Sequence, residues 1–135
     1  MRILVNDEYS TEVCFTQEQV NLFAQISGDC NPIHIDPEYA KKSVFGRTII
    51  HGFLSASIFS KVFGMEWPGE GTIYLSQTMK FKAPVFVNES YVANLKCIDV
   101  DMVKHRGLIR CMLNDKNGNV LIEGNAVIKH DSCFV

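Results

Sequence analysis

The sequence predicts an α+β protein in which one antiparallel sheet wraps around a largely buried helix. Helical spacing of apolar residues is confined to the first half of the chain, whereas everything after residue 71 alternates between apolar and polar side chains in the manner of strands. Helices followed by a meander of long strands are typical of α+β proteins, in which the helix packs on one face of the sheet.

The chain length and the charge set limits on the domain organisation and on the possible partners. A chain of 135 residues is the size of one ordinary domain, so we expect a single domain over residues 1–135. With 13 basic and 15 acidic side chains, the charge is nearly balanced, which predicts neither a nucleic-acid nor a membrane surface. No apolar run is long enough to span a bilayer.

The cysteines and the amino terminus indicate a compartment. Five cysteines without a Cys-x-x-Cys pair fit poorly with a closed set of disulfides and favour a reducing environment. The amino terminus turns acidic after five residues and lacks the apolar core of a secretory signal. We therefore expect a soluble, cytoplasmic protein.

The first predicted helix covers about residues 17–26. The stretch from Thr16 to Gln19 has the form of a capping box, and apolar residues follow it at helical spacing. Ser27-Gly28 ends this helix. Pro32 and Pro37 are expected to keep the next stretch non-helical, apart from a short helical turn at 37–42.

A second helix, from Ile50 to Phe63, is apolar on most sides and should be largely buried. A strand over about 10–15 and four later runs make five predicted strands, and the Asn117-Gly118 pair is a strong signal for a hairpin between the last two. The later runs are 72–83, 89–101, 106–115 and 120–130. Such long strands around one helix leave edges that a partner can cover, so we expect a homodimer or a higher homo-oligomer.

Asp29 and His34 are the first candidates for chemistry. They lie five residues apart in a proline-bounded loop, and loops on rigid scaffolds are where catalytic groups concentrate. A carboxylate and an imidazole that converge on one water can remove its proton and return a proton elsewhere. Taken alone, however, Asp29 can equally organise a turn and His34 can be a hydrogen-bonded core histidine.

The fuller string favours the catalytic interpretation. The run from Phe23 to His34, followed by Ala40, closely resembles the signature of the MaoC-like, R-specific enoyl-CoA hydratase family, whose centre is Gly-Asp-x-Asn-Pro, an aliphatic residue and His. Every constrained position of the signature is met. The resemblance continues through 45–52, 73–77 and 81–85, and thus covers most of the chain.

This resemblance implies the hot-dog fold, a long central helix wrapped by a five-stranded antiparallel sheet, and a dimer with its acyl-thioester groove near the subunit interface. It also implies that Asp29 and His34 are the catalytic pair that activates water. The water adds to C3 of a trans-2-enoyl-CoA and a proton is delivered to C2, which gives an (R)-3-hydroxyacyl-CoA. No cofactor is implied, because coenzyme A is part of the substrate.

Four further residues are predicted to belong to the site. Gly52 begins the buried helix, where free backbone N–H groups and the helix dipole favour an anion, so its N–H is expected to stabilise the thioester enolate. Alternatively, Gly52 only permits tight entry of the chain into the helix. Ser60 falls where the family often has a serine near the water, Asn31 is expected to position Asp29, and His51 to shape the loop or cap the helix.

Other interpretations stay open. A metal site formed by His34, Asp36 and His51 matches no strong ligand pattern, and we expect none. The nearest alternative function is dehydration of (R)-3-hydroxyacyl groups on an acyl carrier protein. A thioesterase and a non-catalytic acyl-thioester binding module share the fold, but the filled Asp29 and His34 positions disfavour both.

Overall fold

The structure is a computed structural model that describes residues 1–135. Its elements follow the predicted order of one strand, then the helices, then the remaining strands. They are β1 (Glu8–Val13), α1 (Gln17–Ser27), α2 (Pro32–Ile35), α3 (Pro37–Lys41), α4 (Gly52–Lys61), a π-helical turn (Val62–Glu66), β2 (Ile73–Gln77), β3 (Lys80–Phe81), β4 (Tyr91–Asp101), β5 (Arg106–Asn114) and β6 (Val120–Lys129).

All strands belong to one antiparallel sheet in the order β1-β4-β5-β6-β2, and the short β3 also pairs with β6. The predicted run 72–83 is therefore two strands, which makes six in total. The break falls at Thr78, whose N–H donates to the carbonyl of Asn125 at 2.9 Å. The predicted fold class is confirmed, with one more strand than expected.

The core lies between α4 and one face of the sheet. Alternate residues of β4, β5 and β6 point inwards, as a side-chain period of two requires. They pack in one cluster with the buried side of α4 and of the π-helical turn, including Ile58, Phe59, Val62 and Phe63. The predicted helix at 50–63 is thus buried on one side, whereas Phe53, Ser57 and Ser60 are exposed. It begins at Gly52 and continues as a wider turn to Glu66.

The amino-terminal half places the catalytic candidates beside this core. The capping box of α1 is present, since the Gln19 N–H donates to Thr16 Oγ1 at 3.2 Å and the Thr16 N–H to Gln19 Oε1 at 2.9 Å. Gly28 ends α1 in the left-handed conformation, with φ +80°, and its N–H donates to the Ala24 carbonyl at 3.0 Å.

One expectation about the following stretch was wrong. Residues 32–35 form a helical turn although Pro32 was expected to prevent it. Pro32 occupies the first helical position, where its missing N–H would have had no intrahelical acceptor and its fixed φ suits the helix. Asn31 caps this turn, because its Oδ1 accepts the Ile33 N–H at 3.3 Å. The expected turn after Pro37 is α3, capped by Asp36.

The segment before α4 is held on both sides. The Ile49 N–H donates to the Ile33 carbonyl at 3.2 Å, and the Ile50 N–H to the Val85 carbonyl at 2.9 Å. The start of α4 is therefore fixed against α2 on one side and against the segment after β3 on the other. None of the helices is long and apolar enough to cross a membrane.

Candidate active site

The loop between α1 and α2 holds Asp29 through short-range hydrogen bonds. The Asp29 N–H donates to Ser27 Oγ at 3.1 Å, and Asp29 Oδ1 accepts the Asn31 N–H at 3.2 Å. Oδ2 faces His34, and the Asp29 side chain is 54% exposed. Asn31 thus contacts the loop through its backbone and caps α2 through its side chain.

His34 lies on α2 with its ring orientation fixed by a backbone carbonyl. Nδ1 is 2.8 Å from the carbonyl oxygen of Ile49, so Nδ1 carries the hydrogen in the neutral ring. Nε2 is then an acceptor, and it lies 4.0 Å from Asp29 Oδ2. The side chain is only 11% exposed. The arrangement presents a basic nitrogen and a carboxylate oxygen to the same small space.

His51 contacts both residues of this pair. Its Nε2 is 2.9 Å from the Asp29 carbonyl oxygen, and its ring stacks on that of His34 with 3.8 Å between centroids and 26° between planes. Phe23 of α1 contacts the same ring edge-on, with 4.9 Å between ring centroids. Although His51 is the residue before α4, its side chain makes no capping hydrogen bond. Of its two expected roles, the contacts correspond to shaping the loop.

Gly52 and His34 line one cavity of about 460 Å³. Because Gly52 is the first residue of α4, its N–H has no intrahelical acceptor. The absent side chain also makes room for a neighbour, since a Cβ on Gly52 would lie 2.7 Å from Cε1 of Phe81. The geometry at Gly52 thus combines a backbone donor without an intrahelical acceptor and close packing against Phe81.

The rest of the cavity wall is mainly apolar. Phe53 and Phe81 lie at its edge, with 69% and 50% of their surface exposed and 6.1 Å between ring centroids. The remaining lining residues are Phe45, Ile49, Ile50, Ser55, Lys82, Ala83, Pro84, Val85 and Ile122. An apolar cleft with a few converging polar groups is suited to an acyl chain whose polar end reaches the histidine.

Comparison with known proteins identifies the family to which this fold and site belong. The model of the MaoC-like domain matches residues 5–114. This chain belongs to the MaoC-like family. It is 37% identical over 115 residues to the (R)-specific enoyl-CoA hydratase of Aeromonas caviae, which covers 85% of this chain and 86% of that enzyme.

Two further comparisons concern the fold and the carrier of the acyl group in related enzymes. The solved (R)-hydratase of A. caviae superposes with a TM-score of 0.91 at 34% identity, covering 95% of this chain and 97% of the other, which confirms the hot-dog fold. A mitochondrial 3-hydroxyacyl-[acyl-carrier-protein] dehydratase of Arabidopsis thaliana is 31% identical over 116 residues, which cover 83% of this chain and 68% of that enzyme.

The structure does not bring Ser60 to the cavity of this MaoC-like domain. Ser60 is exposed on α4, whereas Ser55 is fully buried and lines the cavity. Eight residues of helix place Ser60 roughly 12 Å along the axis from Gly52 and about 80° around it. Ser55, less than one turn from Gly52, stays beside the same opening, and its Oγ donates to the His51 carbonyl at 3.2 Å.

Several contact residues were not anticipated from the sequence. Gln17 Nε2 donates to the His34 carbonyl at 2.9 Å, and Gln17 Oε1 accepts from Thr48 Oγ1 at 2.9 Å, so one amide links α1, α2 and the segment before α4. The spacing of three between Gly52 and Ser55 could have indicated the serine. Nothing local marks Gln17 or Phe81, because their partners are distant in sequence.

Asp29, His34 and His51 are the residues that could approach a metal ion, since one ligand atom from each lies within 4.8 Å of the others. Asp36 is not part of this group, because its Oδ1 accepts the N–H groups of Glu38 and Tyr39 at the start of α3. His34 Nδ1 and His51 Nε2 are both bound to backbone carbonyls. Each imidazole therefore has only its second nitrogen, His34 Nε2 or His51 Nδ1, without a backbone partner.

Proposed function

We propose that this protein catalyses the reversible hydration of trans-2-enoyl-CoA to (R)-3-hydroxyacyl-CoA. The observation that carries the proposal is the 4.0 Å separation of His34 Nε2 and Asp29 Oδ2 beside a cavity that also contains the start of α4. The likeness to (R)-specific enoyl-CoA hydratases supports this choice of substrate and stereochemistry.

In the proposed mechanism, one water donates its two hydrogens to the two acceptors. A water oxygen about 2.8 Å from each acceptor fits a separation of 4.0 Å with an angle of about 90° between the two hydrogen bonds. His34 Nε2 removes a proton as the water oxygen bonds to C3, and the double-bond electrons move towards the thioester. Protonated His34 then returns a proton to C2, while Asp29 orients the water and stabilises the imidazolium.

Gly52 supplies the donor for the negative charge. As water adds to C3, charge develops on the thioester oxygen, and the free N–H at the start of α4 can donate to it. The helix dipole favours the anion at this position. The space that the absent side chain of Gly52 leaves is occupied by the ring of Phe81.

The reaction as proposed requires no cofactor or metal, because coenzyme A enters as part of the substrate. The apolar lining of the cavity receives the acyl chain. All five cysteines are free, which supports a reducing, cytoplasmic location.

Dehydration of (R)-3-hydroxyacyl groups on an acyl carrier protein is the second candidate, and the likeness to the Arabidopsis carrier-protein dehydratase favours it. The chemistry at C2 and C3 is the same in reverse. The two candidates differ in the carrier that must dock outside the cavity, which is coenzyme A in one case and a protein in the other. Lys82 is the cationic side chain among the residues that line the cavity. A thioesterase or a binding module is less well supported, since neither needs the paired acceptors.

We further propose that the protein is a homodimer. β2 is a sheet edge, and most of its residues are exposed, including the large apolar Ile73 and Leu75. Phe53 lines one surface depression together with Tyr74 and Leu75 of β2, and it is 69% exposed. An exposed apolar edge strand is stabilised by pairing with a second chain. Light scattering should give twice the chain mass of 15.2 kDa, and a monomer at micromolar concentration would refute the dimer.

The decisive assay follows a series of enoyl-CoA substrates of increasing chain length, with chiral analysis of the product and a parallel assay on matched carrier-protein substrates. We expect turnover of crotonyl-CoA or a longer homologue to the R product. Activity on the carrier-linked substrates alone would replace the proposed function by the second candidate. Release of free thiol from saturated acyl-CoA, without hydration, would indicate a thioesterase.

A further inference from the structure

His51 is a buried titratable residue that the proposed reaction does not use. It is 2% exposed, and it contacts three separate parts of the site. One contact is to the backbone of Asp29, one to the ring of His34, and one, through its own carbonyl, to the first turn of α4.

The first contact fixes the protonation of the His51 ring. A backbone carbonyl can only accept, so Nε2, at 2.9 Å from the Asp29 oxygen, must carry the hydrogen that it donates. Nδ1 is buried and has no hydrogen-bond partner. A second proton on Nδ1 would be a buried donor without an acceptor, which is unfavourable. The ring is therefore held as the neutral Nε2–H tautomer.

The second contact makes this neutrality useful. His34 becomes an imidazolium each time it takes a proton from water, and the His51 ring lies 3.8 Å from it, nearly parallel. A charged His51 would repel that imidazolium, whereas a neutral aromatic face is compatible with it. The titratable groups that face His51 are Asp29 from the loop and His34 from α2, and α1 contributes the uncharged ring of Phe23.

The third contact reaches the proposed oxyanion donor. The His51 carbonyl accepts the Ser55 N–H at 3.0 Å and Ser55 Oγ at 3.2 Å, which anchors the turn that begins at Gly52. Gly52 is the next residue in the chain. The position of its N–H relative to Asp29 and His34 is thus set through one residue.

We propose that His51 is a positioning residue, held as the neutral Nε2–H tautomer, that fixes the spacing of Asp29, His34 and the Gly52 N–H without exchanging a proton. The inference rests on the proposed hydration for its catalytic consequence, whereas the tautomer can be measured independently of activity.

The first test is the tautomer. Proton–nitrogen correlation spectra of the imidazoles, with the His51 signals assigned by their loss in His51→Gln, should give Nε2–H for His51 and Nδ1–H for His34 at neutral pH. An Nδ1–H or doubly protonated His51 would overturn the inference, whether or not the protein hydrates enoyl-CoA. Failure of the wild type to hydrate any enoyl thioester would instead refute the proposed function.

The second test compares two variants in the enoyl-CoA assay. His51→Phe keeps an aromatic ring against His34 and Phe23 but loses the donor to Asp29, so kcat should fall about 10- to 100-fold with KM changed less than threefold. His51→Gln keeps an N–H near the place of Nε2, so its kcat should be about tenfold higher than that of His51→Phe. His130→Gln is the matched control, because His130 Nε2 also binds a backbone carbonyl, that of Glu70 at 2.8 Å, far along the chain from the site.

The pH profile separates positioning from proton transfer. Both His51 variants should keep each limb of the wild-type profile at a lower rate, because His51 exchanges no proton. Loss of a limb, wild-type turnover in His51→Phe, or equal losses in the two variants would each overturn the inference. Should His51→Phe not fold, the profile of His51→Gln and the tautomer still decide it.

Discussion

His34 Nε2 lies 4.0 Å from Asp29 Oδ2, and the opposite nitrogen of the same ring is held 2.8 Å from the Ile49 carbonyl. The carbonyl decides which nitrogen of His34 is the base. Two acceptors therefore face each other across a space that one water can bridge. The proposed chemistry depends on this relationship more than on either residue alone.

Replacing either acceptor should abolish most of the activity. Asp29→Asn retains an Oδ1 that can accept the Asn31 N–H, so the loop should persist while the carboxylate is lost. His34→Ala removes the base. We expect turnover of crotonyl-CoA to fall by about 10²- to 10⁴-fold in each, measured as the change in ultraviolet absorbance of the enoyl thioester.

The folded state of both variants serves as the control and should be checked by circular dichroism. A folded Asp29→Asn or His34→Ala protein with near-wild-type turnover would remove the basis of the proposed mechanism.

The donor role of Gly52 can be separated from its packing role. Gly52→Pro removes the N–H at a first helical position that suits proline, and the preceding His51 already has φ −52° and ψ 135°, which proline accepts. Gly52→Ala adds a Cβ but keeps the N–H. In a Phe81→Ala background, where both have room, kcat should be about 10²- to 10³-fold lower for Pro than for Ala.

Equal rates for the proline and alanine variants would show that the N–H does not stabilise the transition state. A large loss in Gly52→Ala that Phe81→Ala relieves would assign the glycine to packing, since the added Cβ would lie 2.7 Å from the Phe81 ring.

Thiol reactivity should follow burial. Burial raises the pKa of the Cys111 thiol to about 12 and that of Cys97 to about 11, so both are protonated and unreactive at pH 8. Cys133 is buried as well, whereas Cys14 and Cys30 are exposed. A chromogenic disulfide reagent should therefore titrate two thiols in the native protein and all five in denaturant, and rapid reaction of more than two would contradict this packing.

Phe134 should contribute strongly to stability. Phe134 is fully buried, and its ring lies so close to Gly107 of β5 that a Cβ there would meet it at 2.5 Å. Phe134→Ala should lower the free energy of unfolding by about 3–5 kcal/mol in denaturant titrations. Val135→Ala, at a position 43% exposed, is the matched control, and we expect it to change stability by less than about 0.5 kcal/mol. A small effect of Phe134→Ala would mean that the tail is not docked in solution.

The sequence predicted those features that depend on local pattern. The capping box at Thr16, the buried helix and the alternating strands are each marked by the spacing of residue types within a short stretch of sequence. The break between β2 and β3 could not be predicted in this way. It depends on Gly124, where a Cβ would lie 1.6 Å from the Thr78 carbonyl, and this contact joins residues 46 positions apart.

The site divides along the same line. Asp29, His34 and Gly52 stood out because a family signature and a helix start mark them. Gln17, Ser55 and Phe81 enter through tertiary contacts that no local pattern encodes. Ser60 was inferred from the family resemblance, whereas the serine that lines the cavity in the structure is Ser55.

The backbone and the side chain of Ile49 have different roles. Its carbonyl orients His34, whereas its side chain forms part of the cavity wall. Any residue at this position has a carbonyl, so the wall can be reshaped by substitution while the base keeps its orientation. Selection for a longer or shorter acyl chain can thus act here without a penalty in proton transfer, which makes this position a natural starting point for altering substrate range by directed evolution.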